Sequence, residues 1–322
     1  MAGTRSFNGV SLLKTNWSAD QIPDQTGKVF IITGANIGLG YESALALARK
    51  NARIITACRS QEKCDTAKSQ ILQQVPGAEV EVFLLDLASL DSVHYFVDQF
   101  RQRYSRLDVL MNNAGVMATP LTLTAEGFEL QFGVNHLAHF ALTGLLLDLL
   151  LTTPNSRVVT VYSGVEMIGR INFNNLQWER SYNCWLAYGQ SKLANLYFSW
   201  ELQRRFTQAS STSLSLAAHP GFANTNLQTA GLQLRQPPRI MLWLMKKTSS
   251  MSQSAAEGAL PQLFAATARE VVPGGCYGPD GFMQSRGEAI QVTPRHKPEK
   301  NIKDVEHLWK VSEELTGVSY KL

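Results

Sequence analysis

The sequence predicts an α/β protein with a doubly wound parallel sheet in a single domain, and three observations carry that prediction. Short runs that are almost wholly apolar and rich in β-branched residues, "KVFIIT" at 28–33 being the first, suit parallel strands buried on both faces. Helical stretches alternate with these runs through short connections, as crossover units of a parallel sheet require. At the first junction the strand runs into a glycine-rich turn, "TGANIGLG" at 33–40.

Each element follows in order. After the turn comes the helical "YESALALARK", then strand "RIITA", helix "QEKCDTAKSQILQQ", strand "EVEVFLL", helix "SLDSVHYFVDQFRQRY" and strand "LDVLMN". A long helix from about Gln131 to Leu151 and strand "RVVTVY" come next. A helix containing "LAYGQSKLANLYF" then leads to strand "SLSLAAH". The stretch from Thr225 to Lys247 breaks the rhythm and is expected outside the sheet. Residues 1–26 lack sustained periodicity and read as an N-terminal extension draped over the surface, with 27–322 as one domain. No 20- to 50-residue repeat and no low-complexity segment interrupts it.

Composition excludes several classes. The 322 residues are 44% hydrophobic and 17% charged, and the formal net charge of +4 comes from cations dispersed among acids. No basic block or aromatic-interleaved basic stripe suggests a nucleic-acid partner. Cys58, Cys64, Cys184 and Cys276 show neither a Cys-x-x-Cys pair nor zinc-site spacing, so no metal and no disulfide framework is expected, and a reducing compartment is the default. The N-terminal apolar run is too short for a signal-peptide core. "FALTGLLLDLLL", interrupted by Asp148, is a buried helix, because a membrane span needs ~20 apolar residues. A soluble, cytoplasmic protein is expected.

In such sheets a ligand binds beyond the carboxyl ends of the strands, where strand order reverses. Gly34, Gly38 and Gly40 let the backbone turn tightly and approach a diphosphate. The helix that follows offers unpaired N–H groups and its positive dipole end, which makes Gly34, Asn36, Ile37, Gly38 and Gly40 candidate cofactor residues. At the end of the second strand Ala57 and Cys58 precede Arg59, and the nearest acid is Glu62. An acid there would bind the 2′-hydroxyl of NAD, whereas Arg59 can pair with the 2′-phosphate of NADP(H) through a charge-assisted bond of about 1.5–3 kcal/mol.

The spacing of "TGANIGLG" resembles that of the short-chain dehydrogenases/reductases, and further motifs appear in register. "NNAG" (112–115) ends the fourth strand, "VNHLAHF" supplies Asn135, and "VTVYSG" places Ser163 after the fifth strand. Tyr188 and Lys192 follow four residues apart, and "HPGFANT" (219–225) closes the series. The resemblance covers roughly Gly27 to the end and implies a Rossmann-type fold and nicotinamide chemistry. It places Asp86 and Leu87 beside the adenine, and Asn113, Ala114, Gly115, Pro220, Gly221 and Thr225 along the cofactor. It also implies that Lys192 holds the nicotinamide ribose, that Asn135 supports a water relay, and that pairing into a homodimer runs through the long central helix and the Tyr188 helix.

The chemistry of the pair is legible on its own terms. A free phenol has a pKa near ~10. Lys192, one helical turn along, is expected to favour the phenolate, so that Tyr188 can exchange a proton with a carbonyl oxygen while hydride moves to or from the carbon. Ser163 would hydrogen-bond the same oxygen. His136 and His139 share a helix face but read as packing positions, and Asp91 and Asp98 as a solvated face.

Within the family the resemblance is to the retinol dehydrogenase-like branch and the catalytic part of WW-domain oxidoreductases, carried by "TGANIGLG", "ACRS", "NHLAHF", "FNNLQWERSY" and "AYGQSKLAN". The extension is too short for a WW module. Tyr162 stands where the branch usually has serine, which predicts a bulkier pocket wall, and Phe222-Ala223 is a second departure. A substrate lid is expected at about 225–250. Its "PPRIMLWLMKK" suits a hydrophobic ligand, a peripheral membrane contact or a partner subunit, or else a core helix with solvated ends. The implied substrate is a lipophilic aldehyde, ketone or alcohol, with retinal and retinol as the named example. Two rivals are an enzyme like the light-dependent protochlorophyllide reductases, which typically have a cysteine shortly after the lysine where this chain has Ala194, and an NADP(H)-binding sensor without turnover.

Overall fold

The computed structural model describes residues 17–221 and 253–322, together with a two-stranded ribbon that pairs Ser6–Phe7 with Val10–Ser11. Eight strands form one sheet: β1 (Val29–Thr33), β2 (Arg53–Cys58), β3 (Val80–Leu84), β4 (Val109–Asn112), β5 (Arg157–Val161), β6 (Leu214–Ala218), β7 (Cys276–Pro279) and β8 (Ala289–Val292). Their order is β3-β2-β1-β4-β5-β6-β7-β8, all parallel except β8, which returns antiparallel on β7. The order reverses between β1 and β4, the position at which such sheets open a crevice for a ligand.

The helices are α1 (Gly38–Ala48), α2 (Gln61–Gln74), α3 (Leu90–Arg103), α4 (130–152), α5 (Cys184–Gln208), α6 (Ala255–Thr267) and α7 (Ile302–Thr316). Alternate residues of one strand serve opposite faces, because successive Cβ atoms point to opposite sides of the pleat. Phe30 and Ile32 pack with α1 and α6, whereas Val29 and Ile31 pack with α3, α4 and α5. Both faces are therefore apolar, which is why these strands read as unbroken hydrophobic runs.

Three sequence expectations change here. The stretch before Gly27 is not simply draped over the surface, since Trp17 and Ile22 are buried and the Trp17 ring meets Phe264 edge-on at 5.2 Å. Cys58 and Cys64 bring their side chains together across a Cα separation of 6.5 Å, a contact the sequence reading did not anticipate. The C-terminal elements α6, β7, β8 and α7 are new relative to the sequence reading. Helix α7 and the tail after it lie against α4 and α5: Tyr320 Oη donates to Phe140 O (2.7 Å), and a Cβ on Gly144 would stand 2.6 Å from Val318 and 2.7 Å from Tyr320. Part of the face that the resemblance implies for pairing is thus covered by the chain itself.

Candidate active site

The site begins at the end of β1. Thr33 Oγ1 accepts the backbone N–H groups of Asn113 and Ala114, both at 2.9 Å, and Asn113 Nδ2 donates to Thr33 O at 2.7 Å. These bonds draw the turn after β1 against the end of β4. Gly34 sits in the left-handed region (φ 68°), and a Cβ there would stand 3.1 Å from Ala114. At Gly40 a Cβ would lie 2.4 Å from Gly34 O and 2.6 Å from Asn113 Nδ2, so only glycine lets the first turn of α1 pack this closely. The residue before α1, Ile37, is exposed and offers no capping side chain, which leaves the first N–H groups of the helix available to an anion. Beyond β3, Asp86 Oδ1 caps its own turn by accepting from Ala88 N (3.0 Å) and Leu87 is buried, and at the end of β2 Arg59 is exposed.

Across the crevice the polar groups are buried side chains. A π-helical turn, Gly133–Leu137, interrupts α4 at Asn135. Such turns change the backbone hydrogen-bonding register and are frequent at functional sites. Asn135 Oδ1 accepts Val116 N (2.8 Å), while its Nδ2 donates to Val116 O and Ser191 Oγ, both at 2.9 Å. Gly115 faces this group closely: a Cβ there would stand 3.0 Å from Asn135 Oδ1 and 3.4 Å from Lys192 Nζ. The missing side chain at Gly115 is therefore what allows the "NNAG" turn, Asn135 and Lys192 to converge.

Ser163 follows β5, its Oγ accepts Val165 N (3.3 Å), and its hydroxyl lies near that of Tyr188 on α5. Burial pushes the Tyr188 phenol up to about 12, with the Ser163 hydroxyl pulling the other way. Lys192 is also buried, and burial lowers its ammonium to about 8. Its Nζ donates to Val161 O (3.1 Å) and lies 5.8 Å from the Tyr188 ring centre. The two side chains share a helix face as expected, but the expected lowering of the phenol by Lys192 is not seen. Desolvation dominates because the ammonium is spent on a carbonyl at the end of β5 and does not touch the phenol oxygen.

His139 turns out to be more than a packing residue. Its Nδ1 lies 3.1 Å from Asn135 O and its Nε2 lies 2.9 Å from Thr33 Oγ1. A carbonyl can only accept, so the ring carries its proton on Nδ1 and receives the Thr33 hydroxyl at Nε2. Burial lowers this imidazole to about 4, which keeps it neutral at physiological pH. His139 thus joins the two halves of the site. His136 stays in the core, its ring among Phe132, Phe140 and Phe198 and its Nε2 2.9 Å from Ser312 Oγ. Asp91 and Asp98 are exposed.

Further positioning contacts come from residues that carried no sequence signal. Gln131 Nε2 donates to Tyr182 Oη (2.8 Å) and Cys184 O (2.9 Å), and Gln190 Nε2 donates to Leu176 O (3.0 Å). Together they pin the segment between Ser163 and α5. Glu166, buried just after Ser163, accepts from Arg295 N (2.9 Å) and meets His296 Nδ1 at 2.6 Å. One departure from the family pattern resolves differently from its expectation. The Tyr162 side chain is buried beneath α5, edge-on to His219 at 5.2 Å, and does not form the pocket wall. Strand alternation sends it into the core while its neighbour Ser163 faces Tyr188. Gly221 takes φ 62°, where a Cβ would meet Ser285 O at 2.5 Å, and Pro220 O accepts from Gln253. Thr225, Phe222, Ala223 and the lid at 225–250 lie outside the described residues.

A doubly wound sheet with a glycine turn at its switch point, and a Ser–Tyr–Lys cluster with buried Tyr188 and Lys192 at its carboxyl edge, defines an oxidoreductase of the dinucleotide-dependent class. Residues 28–233 match the family model described as short chain dehydrogenase. The chain is 39% identical to mouse retinol dehydrogenase 12 over 301 residues, 94% of this chain and 89% of that protein. It is 47% identical to human retinol dehydrogenase 13 over 202 residues, 62% of this chain and 60% of that one. Among solved structures, an uncharacterised protein from Mycobacterium paratuberculosis superposes with a TM-score of 0.78 at 40% identity, covering 95% of this chain and 99% of the other. A short-chain dehydrogenase from Shigella flexneri shares the fold at 22% identity, with a TM-score of 0.58 over 76% of this chain and 92% of its own. The chain belongs to the short-chain dehydrogenase/reductase family, in its retinol dehydrogenase-like branch.

Proposed function

We propose that the protein is an NADP(H)-dependent oxidoreductase that interconverts a lipophilic aldehyde or ketone and its alcohol, with Tyr188 as general acid and base. The observation that carries this reading is the cluster of Ser163 with the buried Tyr188 and Lys192, in which Lys192 and Asn135 converge on the Cβ-less Gly115. The residues fit a dinucleotide: Gly34, Asn36, Ile37, Gly38 and Gly40 would hold the diphosphate at the uncapped start of α1. Asp86 and Leu87 would flank the adenine. Asn113, Ala114, Gly115, Pro220, Gly221 and Thr225 would line the nicotinamide half, and Lys192 would hold its ribose. When bound, the nicotinamide supplies or accepts the hydride.

The chain's own groups do the remaining work. In reduction the substrate carbonyl oxygen sits between Ser163 and Tyr188. Ser163 donates a hydrogen bond that stabilises the developing negative charge, and Tyr188 gives up its phenolic proton to that oxygen. The phenol, held at about 12, stays protonated across physiological pH and so stands ready as the acid. Lys192 and Asn135 line the route along which the proton is replaced. In oxidation the same groups run in reverse.

Arg59 supports NADP(H) over NAD(H), because it is an exposed cation at the end of β2, where the nearest acid in sequence is Glu62. The lipophilic substrate class is supported by the retinol dehydrogenase relatives and by Met167, Ile168 and Leu186, apolar side chains left exposed on segments adjoining Ser163 and Tyr188. Neither the protochlorophyllide reductase-like reading nor the sensor gains from the structure, since the proton donor is intact and Ala194 packs in the core. A cytoplasmic location, a homodimer and membrane contact through 225–250 belong to the same proposal. No helix among the described residues is long and apolar enough to cross a membrane.

The test follows NADPH and NADH oxidation with retinal, medium-chain aldehydes, a steroid ketone and a small ketone. Turnover of a lipophilic carbonyl with NADPH is expected. Equal dissociation constants for NADPH and NADH would refute the Arg59 assignment, and tight NADPH binding without turnover of any carbonyl would favour the sensor.

A further inference from the structure

We propose that Glu166 is a positioning residue for Ser163. Its carboxylate ties the turn that carries the serine to the segment at Arg295 and His296, and so fixes where the serine hydroxyl points. This role rests on the proposed place of the substrate oxygen between Ser163 and Tyr188. It extends the working site to a segment 130 residues further along the chain.

The turn begins at the serine itself. Residues Gly164–Ile168 form a short 3-10 helix with Ser163 as its N-cap, so Ser163 Oγ accepts Val165 N (3.3 Å) and Ser163 O accepts Glu166 N (2.9 Å). The hydroxyl is therefore oriented by the turn and not by the end of β5 alone. Glu166 O accepts Gly169 N (2.8 Å) and closes the turn. Gly169 lies against the backbone of α5: a Cβ on it would stand 2.3 Å from the carbonyl oxygen of Gly189, the residue after Tyr188. A shift of this turn thus moves Ser163 relative to Tyr188.

The other end of the tie is remote in sequence. Glu166 is buried, and a carboxylate leaves water at a high cost unless donors replace its hydration. Arg295 N (2.9 Å), His296 N (3.4 Å) and the ring Nδ1 of His296 (2.6 Å) supply that replacement. Both residues lie in the connection between β8 and α7. Cys276 and Tyr197 stay neutral around the carboxylate, since burial, with the Glu166 charge adding to it, pushes each up to about 12. Glu166 therefore depends on the 295–296 segment, and parting the two would leave buried acceptor oxygens unpaired. Met167 and Ile168, on the same short turn, remain exposed, so the tie also holds the two apolar side chains nearest the serine.

The experiment compares the full chain with Glu166→Gln, which keeps the side-chain volume and one acceptor oxygen, and with His296→Ala, which removes the partly exposed ring. Retinal and a medium-chain aldehyde with NADPH read kcat/KM, and fluorescence titration reads the NADPH dissociation constant. Hydrogen exchange followed by mass spectrometry reads the backbone of 163–169 and 293–297. Glu166→Gln is expected to exchange faster in both segments and to lose about ten- to a hundredfold in kcat/KM. His296→Ala should lose about three- to tenfold, and NADPH affinity should be unchanged in both. A Ser163→Ala background decides the route. Added to it, Glu166→Gln should cost less than about twofold more, because the group it positions is gone. A full, additive loss in that background would overturn the inference, as would exchange at 163–169 that neither variant alters. The proposed reaction fails separately: a parent chain that turns over no carbonyl would refute it, while exchange at 163–169 would still decide whether Glu166 holds the turn.

Discussion

The two halves of this site are built by different means. The half at β1 and α1 is made of backbone: Gly34 and Gly40 act through the side chains they lack, and the groups offered to a ligand are main-chain N–H donors. The half at β5 and α5 is made of buried side chains whose protonation the protein has altered, with Tyr188 raised to about 12 and Lys192 lowered to about 8. A backbone site tolerates no added atom but is indifferent to pH. A buried side-chain site tolerates neighbours but depends on which proton is present.

The largest expected effect comes from removing one oxygen on the side-chain half. Tyr188→Phe should lower turnover by ~10²–10⁴-fold while leaving NADPH affinity nearly intact. Steady-state kinetics with a fluorescence titration separates the two, and near-normal turnover would assign the proton to another group. Adding one carbon on the backbone half comes next. Gly40→Ala drives a Cβ into Gly34 O and Asn113 Nδ2, and should cost about 1–3 kcal/mol of stability and weaken NADPH binding by roughly tenfold. Denaturant unfolding and titration read both. Unchanged values would mean the turn can open, which would erase the contrast between the halves.

The third prediction concerns pH. Burial depresses Lys192, so below about 8 folded and unfolded chains both hold it charged and the folded chain bears the desolvation penalty. Between about 8 and the ordinary 10.5 the folded chain sheds the proton first, and this group's contribution to stability rises with pH. For function the sign is opposite under the proposed role, in which the ammonium form would hold the ribose. NADPH affinity should fall as pH rises through about 8, and Lys192→Met should be weaker in binding and rate throughout and lose that inflection. A profile unaltered by the substitution would place the titrating group elsewhere. The smallest effect is expected at Tyr162→Phe. The hydroxyl removed has no hydrogen-bond partner among the described residues, so stability should change by less than about 1 kcal/mol and kinetics not at all. A changed KM would return Tyr162 to the pocket wall.

Much of the architecture was legible in sequence, as α2 illustrates: "QEKCDTAKSQILQQ" is the helix observed, Gln61–Gln74. The C-terminal third was less so. Strands β7 and β8 are four residues each, and β8 pairs antiparallel, so neither offers a long apolar run or a crossover rhythm. The candidate residues were recognisable by type and order, but their partners were not. Thr33 and His139 stand 106 residues apart, Asn135 and Ser191 56 apart, and nothing local marks either pair.

What the sequence by itself determined is therefore what neighbouring residues decide together: strands from unbroken apolar runs, a tight turn from glycine spacing, and a phenol and an ammonium on one helix face from Tyr188 and Lys192 one turn apart. The tertiary structure alone decided the rest. It put a π-helical turn under Asn135, a bridging role on His139, a core position on Tyr162 and a contact between Cys58 and Cys64. The physical reason is one of range. Periodicity and turn chemistry act over a few residues, whereas desolvation and hydrogen-bond satisfaction depend on what the completed fold brings alongside a group.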